Sequence, residues 1–555
     1  MTPDVSIIIP VYNAQDFIEN TIESVFNQTL QNIEIIVIND ASIDNTPQII
    51  ERLSAADSRL KVVTYEQNNG AEYARKVGVE HAQGRYILFL DADDGLVRNA
   101  CELLLAEIQK RPVDILHFGT EVEWHGEGVK HFATHMQRFV MPLNIEMQGM
   151  EITKAALERS EHSWSLWGKL LKTSLCKEAY RHIPMLRLPL GEDLLAYFFI
   201  SYFSQTYRGF PDYQLYQYNY GLGGSNNQQV TLDVFEQRWL STLRVVNCIE
   251  DFLTKRDELA LYENVLKEVR AHFLDEATGA ILTLLQPQQR KAGFLRVVNT
   301  WSAVEAIANL ASFEWLSPHH IWIWMFADSR STLGSQNESL IVKDPAATQY
   351  QHTAYYSFMG TNLVDRVAQF LAADFDTRAD EKPLMLLEDT ISSYVELPDD
   401  FEYHSIQPKY ECVLAASFKN RCQAVQQLVS RHGIKRLVIL DYADVLIFWD
   451  LLFFEVIGVK VENSAGEDMI AKLYTEHGLD KLIRAGSSGY DRVLVSDEDF
   501  VREKLGHKWA SISYKEQALR MKNQTQEIKE SNSYKLGKVL TLPVRLIKYK
   551  VFTQH

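Results

Sequence analysis

The twelve residues from Gly84 to Gly95, GRYILFLDADDG, constrain this chain more than any other stretch. Tyr86, Ile87, Leu88, Phe89 and Leu90 form an unbroken aromatic, β-branched and aliphatic run. It is too short for a helix and is bounded by Gly and Asp, which predicts a strand buried on both faces. The strand ends in acid. Asp91, Asp93 and Asp94 place three carboxylates within four positions, where mutual repulsion is costly unless a cation or a ring of donors compensates. Mg²⁺ or Mn²⁺ takes oxygen ligands and typically binds one or two carboxylates plus substrate phosphates, which suits the carboxyl end of a strand in an open α/β sheet. The competing reading is an Asp-rich turn whose acids merely cap a helix starting near Leu96.

The preceding residues predict the rest of that sheet. Val5 to Pro10 and Ile33 to Ile38 are short β-branched runs, and Asp16 to Leu30 between them carries apolar residues at helical spacing. Lys61 to Tyr65 reads as a third strand after a helix around Thr46 to Leu53, and a helix from Ala71 to Ala82 leads into the central strand. Strand and helix in alternation mean a parallel sheet. Polar residues follow each strand: Val11-Tyr12-Asn13 after the first and Asn39-Asp40-Ala41-Ser42 after the second. In doubly wound sheets, ligands bind outside those ends.

Together, Ile9-Pro10-Val11-Tyr12-Asn13, Asn39-Asp40-Ala41-Ser42-Ile43-Asp44-Asn45-Thr46, Asn69-Gly70-Ala71 with Ala74-Arg75, Ala82-Gln83-Gly84-Arg85-Tyr86 and Asp91-Ala92-Asp93-Asp94 resemble the family 2 glycosyltransferases of the GT-A fold, in order and spacing. The resemblance implies a donor site containing Pro10, Tyr12, Asp40, Arg75, Asp91, Ala92 and Asp93. Tyr12 would stack on the nucleobase and Asp40 accept a base N–H. Asp91 and Asp93 would be the DXD pair holding Mn²⁺ or Mg²⁺ against the donor diphosphate, and Arg75 would fork onto nucleotide oxygens. Asn39 and Lys76 stand where many relatives have Asp and Asn, which touches base recognition but not the class.

Val113 to Phe118 reads as a further strand, and Trp124 to Met150 as a polar, irregular loop over the site. Leu166-Trp167-Gly168-Lys169-Leu170-Leu171 and then Leu190-Gly191-Glu192-Asp193-Leu194 resemble the family's Trp-x-Lys and Glu-Asp elements, the second of which supplies the catalytic base. An acceptor hydroxyl is a poor nucleophile, and a carboxylate in hydrogen-bond reach can take its proton as the new bond forms. Family position assigns that role to Asp193 and an orienting role to Glu192; the residues alone also allow the reverse. Lys169 joins the donor-site set. Tyr213, Tyr216, Tyr218 and Tyr220 alternate with polar residues before Gly223-Gly224-Ser225, where the family places a Gly-Ser element closing over the diphosphate. A Gly-rich turn after an edge strand explains Ser225 as well.

At 555 residues the chain predicts three or four units at roughly 100 to 200 residues each. The expected boundaries are a GT-A domain over 1–228, a helical connector over 229–325, a Rossmann-like accessory domain over 326–511 and a charged helical and basic tail over 512–555. The connector follows from helical periodicity through Thr231 to Phe313, within which His272 reads as a surface residue, and an aromatic run, Ile321 to Phe326, follows it. The accessory domain follows from strand-like runs at Leu384 to Leu387, Arg436 to Leu440, Val459 to Glu462 and Arg492 to Ser496, separated by helical stretches at Asn362 to Ala373, Arg421 to His432 and Phe448 to Ile457. It loosely resembles one half of glycosyltransferases with two Rossmann-like halves and lacks room for its own donor site.

Five scattered cysteines without a CxxC pair argue for a reducing compartment and against zinc. No basic region followed by an apolar segment opens the chain, and the most apolar run, Val445 to Val461, is interrupted by Asp450 and Glu455, short of the roughly 18 uncharged residues of a membrane span. Of the net charge of −17, Tyr534 to His555 contributes +5, leaving −22 elsewhere. So acidic a body excludes nucleic acid as a partner of its average field. The tail's apolar side among lysines suits a peripheral contact with the cytoplasmic face of the inner membrane; a solvated tail or one packed in a homo-oligomer is the alternative. Its Ser533-Tyr534-Lys535-Leu536-Gly537-Lys538 segment resembles an ending of bacterial surface-polysaccharide glycosyltransferases. The implied activity is inverting, metal-dependent transfer from a nucleotide-diphosphate sugar, expected to be a UDP-sugar, to a glycan or lipid-linked acceptor in the cytoplasm. The runner-up is a scaffold that binds nucleotide sugar or glycan without turnover.

Overall fold

The computed structural model describes residues 2–125, 131–222 and 229–311 and, beyond them, 352–357, 384–388, 402–406, 422–423, 425–431, 433–441, 453–454 and 456–463. The first region is built on one nine-stranded mixed sheet. Its strands are β1 (Val5–Val11), β2 (Ile33–Asp40), β3 (Leu60–Tyr65), β4 (Tyr86–Phe89), β5 (Gly95–Leu96), β6 (Ile115–Trp124), β7 (Glu146–Gln148), β8 (Lys169–Lys172) and β9 (Thr206–Tyr220). The order is β3-β2-β1-β4-β8-β6-β9-β5, with β7 also pairing β9.

The unbroken apolar runs read as strands for the expected reason. β1, β2 and β4 are parallel neighbours, Ile7 lying between Ile35 and Leu88 in register, and helices cover both faces. The helices Ile18–Phe26 and Ala100–Lys110 pack on one core, Ala71–His81, Thr173–His182 and Glu192–Phe203 on the other. Gly84 is fixed by close approach: a Cβ there would lie 2.7 Å from the Ser6 backbone nitrogen, so only glycine lets the chain enter β4 beside β1.

Four expectations are corrected. The central strand ends at Phe89, after which the chain turns and pairs Gly95 and Leu96 with Gln217 and Tyr216; the next helix begins at Ala100 rather than near Leu96. The stretch from Trp124 to Met150 is not an irregular loop, since it contains the helix His131–Val140 and the strand β7. The strand read at Val113 to Phe118 runs on to Trp124, because its second half pairs with the tyrosine-rich end of β9. His272 is half-buried against Trp164 rather than plainly on the surface.

Helices Leu232–Trp239, Leu243–Thr254, Glu263–Thr283, Pro287–Trp301 and Ala303–Ala311 follow. A second sheet contains β10 (His352–Ser357), β11 (Leu384–Glu388), β12 (Glu402–Ile406), β13 (Ile434–Asp441) and β14 (Lys460–Asn463), all parallel, in the order β12-β11-β10-β13-β14. β10 and β12 were not evident from the sequence, since His352 to Ser357 and Glu402 to Ile406 lack a long aliphatic run. Ser225, the aromatic run Ile321 to Phe326, the strand expected at Arg492 to Ser496, the helix expected at Asn362 to Ala373 and the basic tail lie outside the described residues. Among those described, no helix is long and apolar enough to cross a membrane.

Candidate active site

The loops after β1 and β2 clasp each other, which explains the polar sequence at those strand ends. Asn13 N–H donates to Ser42 Oγ (3.0 Å), Ile43 N–H to Asn13 Oδ1 (2.9 Å), and Ala14 N–H to Thr46 Oγ1 (2.8 Å). Asn13 and Ala41 both sit at positive φ, 49° and 61°, a conformation uncommon for residues with a Cβ and frequent at ligand sites. Pro10 lies at the end of β1. The clasp leaves the Tyr12 ring half exposed beyond it, a free face for stacking.

Asp40 is placed differently from the expectation. Its carboxylate is buried and accepts from the Asn69 and Gly70 amides, at 2.9 Å and 2.7 Å. These bonds fix the turn that opens the helix Ala71–His81, whose third residue after Glu72 is Arg75.

Arg75 is the centre of the site. Only 4% exposed, it donates from Nη2 to Asp91 Oδ1 at 3.2 Å. Its Nη1 lies 2.6 Å from Asp193 Oδ1 and 4.0 Å from Glu192 Oε1. The 2.6 Å contact is an ion pair by distance and not a hydrogen bond by direction, since both atoms lack an aligned hydrogen-bond partner. The guanidinium expected to fork onto nucleotide oxygens therefore bridges the acidic strand end to the acidic helix start. Removing one partner of such a buried pair strands the other charge, at about 3–5 kcal/mol.

The three acids after β4 separate by environment. Asp94 is buried and fully engaged, accepting from the Tyr216 hydroxyl (2.7 Å) and the Asn219 amide (2.8 Å). That donor ring removes it from the metal question. Asp91 and Asp93 are half-buried, and burial together with the Asp91 charge pushes the Asp93 carboxyl up to about 6. Two adjacent oxygen donors with such repulsion fit a hard divalent cation that completes its shell with phosphate and water. Among the described residues no group of three or more His, Cys, Asp or Glu is arranged for a metal. The Ala92 carbonyl between them accepts from Thr21 Oγ1 at 2.8 Å.

Glu192 and Asp193 begin the helix Glu192–Phe203, after Gly191 in the left-handed region at φ 83°. A Cβ at Gly191 would also meet the Phe273 ring at 2.8 Å. Burial raises the Asp193 carboxyl to about 7, with Glu192 and Asp91 adding to the rise and Arg75 and Lys169 opposing it. Glu192 is raised by burial too. Lys169 is fully buried behind them and donates to the Ser165 carbonyl (2.6 Å) and the Ser163 hydroxyl (3.3 Å), so its contribution is to the local field rather than to a surface contact. Trp167 stacks on Tyr216 and Tyr218, with ring centroids 5.1 Å and 4.7 Å apart.

Sequence reasoning missed the Tyr216–Asp94 clasp and Glu72, a carboxylate buried one turn before Arg75 with neither oxygen accepting a hydrogen bond. It also missed Glu34, for which a signal existed: a lone charge inside the apolar run IEIIVI.

Residues 6–166 match the family model described as glycosyl transferase family 2. Among curated relatives, EpsH of Bacillus subtilis (strain 168) is 33% identical over 194 residues, 35% of this chain and 52% of its own length. WfgD of Escherichia coli, a UDP-Glc:alpha-D-GlcNAc-diphosphoundecaprenol beta-1,3-glucosyltransferase by name, is 39% identical over 118 residues, 21% of this chain and 46% of its own. The chain thus spans about half the length of these relatives. The crystal structure of S. aureus TarS 1-349 in complex with UDP aligns with 59% of this chain and 87% of its own, at 19% identity and a TM-score of 0.39. Residues 6–166, with their motifs on the ends of β1, β2 and β4, are thus similar to the family 2 glycosyltransferases.

Proposed function

We propose that the chain is an inverting glycosyltransferase that moves a sugar from a nucleoside diphosphate donor, a UDP-sugar by preference, to a hydroxyl of a glycan or lipid-linked acceptor in bacterial surface polysaccharide synthesis. The observation that carries this is the convergence on Arg75 of two acidic elements, Asp91 at the end of β4 and Asp193 at the start of a helix more than a hundred positions away. Tyr12 offers a face for the nucleobase, and Asp40, through Asn69 and Gly70, holds the loop beside it. Pro10 and Ala92 belong to the proposed donor site as well.

Asp91 and Asp93 would hold a divalent cation, which when bound offsets the charge that develops on the leaving diphosphate. Asp193 takes the acceptor hydroxyl's proton as the oxygen attacks the anomeric carbon on the face opposite the diphosphate, so configuration inverts. A carboxyl near neutrality suits that work, because a base is most effective when its pKa lies near the working pH. Glu192 orients, and Lys169, whose pKa burial pushes down with Asp193 opposing, lies behind Asp193. In this reading 1–228 carries the transfer, 229–325 is a helical connector, 326–511 an accessory domain and 512–555 a tail suited to a peripheral membrane contact.

The test is release of nucleoside diphosphate from a panel of UDP-, GDP- and dTDP-sugars with and without Mn²⁺, followed by NMR assignment of the anomeric configuration of the product. Release from none of them, or a product of retained configuration, refutes the reading.

A further inference from the structure

Besides Tyr216, β9 sends a second residue to the turn 91–94. Continuing the register that sets Gly95 opposite Gln217 places Asp93 opposite Asn219, 126 positions further along the chain. The Asn219 backbone N–H donates to Asp94 Oδ1 at 2.8 Å, and its side-chain Nδ2 donates to the Asp93 carbonyl at 2.7 Å. The first bond serves the buried Asp94. The second serves the peptide that follows Asp93, one of the two carboxylates assigned to the cation.

The peptides on both sides of Asp93 are thereby held. Thr21 Oγ1 donates to the Ala92 carbonyl at 2.8 Å and fixes the plane before it. Asn219 Nδ2 fixes the plane after it, where Asp94 N–H adds a longer bond to the Asp91 carbonyl at 3.2 Å. A peptide unit is planar, so two fixed planes set φ and ψ of Asp93 and with them the direction in which its Cβ leaves the chain. Donors to a metal need placing to within about 0.5 Å and 10–20°. Repulsion between the neighbouring carboxylates of Asp91 and Asp93 works against that placement.

The orientation of the Asn219 amide is itself fixed. A carbonyl can only accept, so the amide turns its N–H₂ toward Asp93 and its Oδ1 away. There Oδ1 meets His125 Nε2 at 2.9 Å, so that ring nitrogen carries the hydrogen. His125 in turn donates its backbone N–H to the Tyr220 carbonyl at 3.0 Å, and its Nε2 lies 3.6 Å from Glu123 Oε2. On either side of Asn219, Tyr218 stacks on Trp167 and Tyr220 on Trp124, with ring centroids 4.7 Å and 5.1 Å apart. The amide thus stands on a strand end braced at both neighbours. We propose that Asn219 is a positioning residue for the divalent cation: its side chain fixes the peptide after Asp93 and so aims the Asp93 carboxylate, with His125 holding the amide in the orientation this requires.

This rests on the metal-dependent reading of Asp91 and Asp93, and calorimetry of UDP binding to the full-length protein, in Mn²⁺ and in EDTA, separates the two. With the unmodified protein Mn²⁺ should tighten UDP binding, and Asp93→Ala should remove that gain. Asn219→Ala keeps the backbone N–H that serves Asp94 and loses the amide. Its UDP affinity in Mn²⁺ should fall by about tenfold, while its affinity in EDTA stays within about twofold of the unmodified value. A residue that merely supports the fold would move both measurements or neither. His125→Ala, at an exposed position, should lower the affinity in Mn²⁺ by about threefold, and His125→Gln, whose amide can donate to the same Oδ1, should restore it. That pair decides the matter if Asn219→Ala does not fold, and a His125→Ala protein that then binds like the unmodified one overturns the proposal. An Mn²⁺ gain intact in Asn219→Ala and lost in Asp93→Ala also overturns it and leaves the metal site standing. Equal losses in Mn²⁺ and in EDTA overturn it by making Asn219 a contact of the nucleotide or a support of the fold. No Mn²⁺ gain in the unmodified protein refutes the metal reading, and this role with it.

Discussion

In β3-β2-β1-β4 every strand is parallel and the crossovers carry helices, whereas β8-β6-β9-β5 mixes directions and is gathered by one fifteen-residue strand, β9, that pairs with β5, β6 and β7. In the parallel half, each proposed site residue follows directly from the strand before it: Tyr12 after β1, Asp40 at the end of β2, Asp91 and Asp93 after β4. The mixed half brings its contributions from far along the chain. Asp193 reaches Arg75 from a separate helix, and Tyr216 reaches Asp94 across 122 positions. Local topology builds the proposed donor side, and a distant segment brings the proposed proton acceptor to it.

The largest effect should come from the parallel half. Asp93→Ala, or removal of divalent metal by EDTA, should abolish turnover and weaken donor binding together, because the two adjacent carboxylates repel a diphosphate unless a cation lies between them. Donor affinity measured by calorimetry is the check. An unchanged affinity in Asp93→Ala would detach these carboxylates from the donor.

Next comes the mixed half. Asp193→Asn keeps size and hydrogen-bonding reach but cannot take a proton, so turnover should fall by about 10²- to 10⁴-fold, or roughly 3 to 5 kcal/mol of barrier, with donor affinity little changed. Glu192→Gln should cost less. The proposed base must be ionised to work, and burial raises the Asp193 carboxyl to about 7, so turnover should rise as pH increases through that value. The limb should vanish in Asp193→Asn. Should Glu192→Gln prove the more damaging, the two roles are exchanged; if neither costs tenfold, the base is elsewhere.

The same contrast governs what the sequence made legible. β1, β2 and β4 could be read to within two residues because a strand buried on both faces is an unbroken apolar run, and its polar ending marks the ligand side. The family match likewise stops at residue 166, ahead of Lys169 and Asp193. Nothing local marks Asp94 as the acid that leaves the cluster, since its partner is on β9. Arg75 was visible as a motif residue, yet its three acidic neighbours come from two distant segments. The helix His131–Val140 went unread although Phe132, Met136, Phe139 and Val140 fall at helical spacing, because the segment is short and set between polar flanks.

A third prediction tests the seam between the halves. Tyr216→Phe removes the hydroxyl that donates to Asp94 and accepts from the Asp91 amide at 3.2 Å, leaving a buried carboxylate one donor short. Urea unfolding should show a loss of about 1–3 kcal/mol, and donor affinity should fall with it, because the same hydroxyl steadies the Asp91 backbone. A stability loss with donor affinity intact would mean that the halves are joined mechanically but not functionally at this point.

The smallest effect lies deep in the parallel half, at Glu34. Its Oε1 accepts from Ser6 Oγ (2.6 Å) and from the Gln83 and Gly84 amides (2.7 Å and 3.0 Å), and its Oε2 pairs with Lys61 Nζ at 2.7 Å. One carboxylate thus ties β1, β2, β3 and the entry to β4. Burial alone would raise its pKa, but the bonds from Lys61, Ser6 and Gln83 outweigh that and hold it below the usual 4.5. Glu34→Gln keeps an acceptor for the three donors on Oε1 but turns an amide N–H₂ toward the Lys61 ammonium, so it should cost about 1–2 kcal/mol at pH 7. The sign of the pH dependence follows from the lowered value. The folded state holds this carboxylate ionised more tightly than the unfolded chain does, so its stabilisation is present above about 4.5 and is lost as pH falls through the lower folded value. Urea titrations of both proteins should therefore differ most at neutral pH and draw together as pH falls below about 4.5, with turnover at pH 7 little altered because the strands rather than the site carry the change. A difference that stays constant down to pH 3 would show that shape and packing, and not the charge, make Glu34 matter.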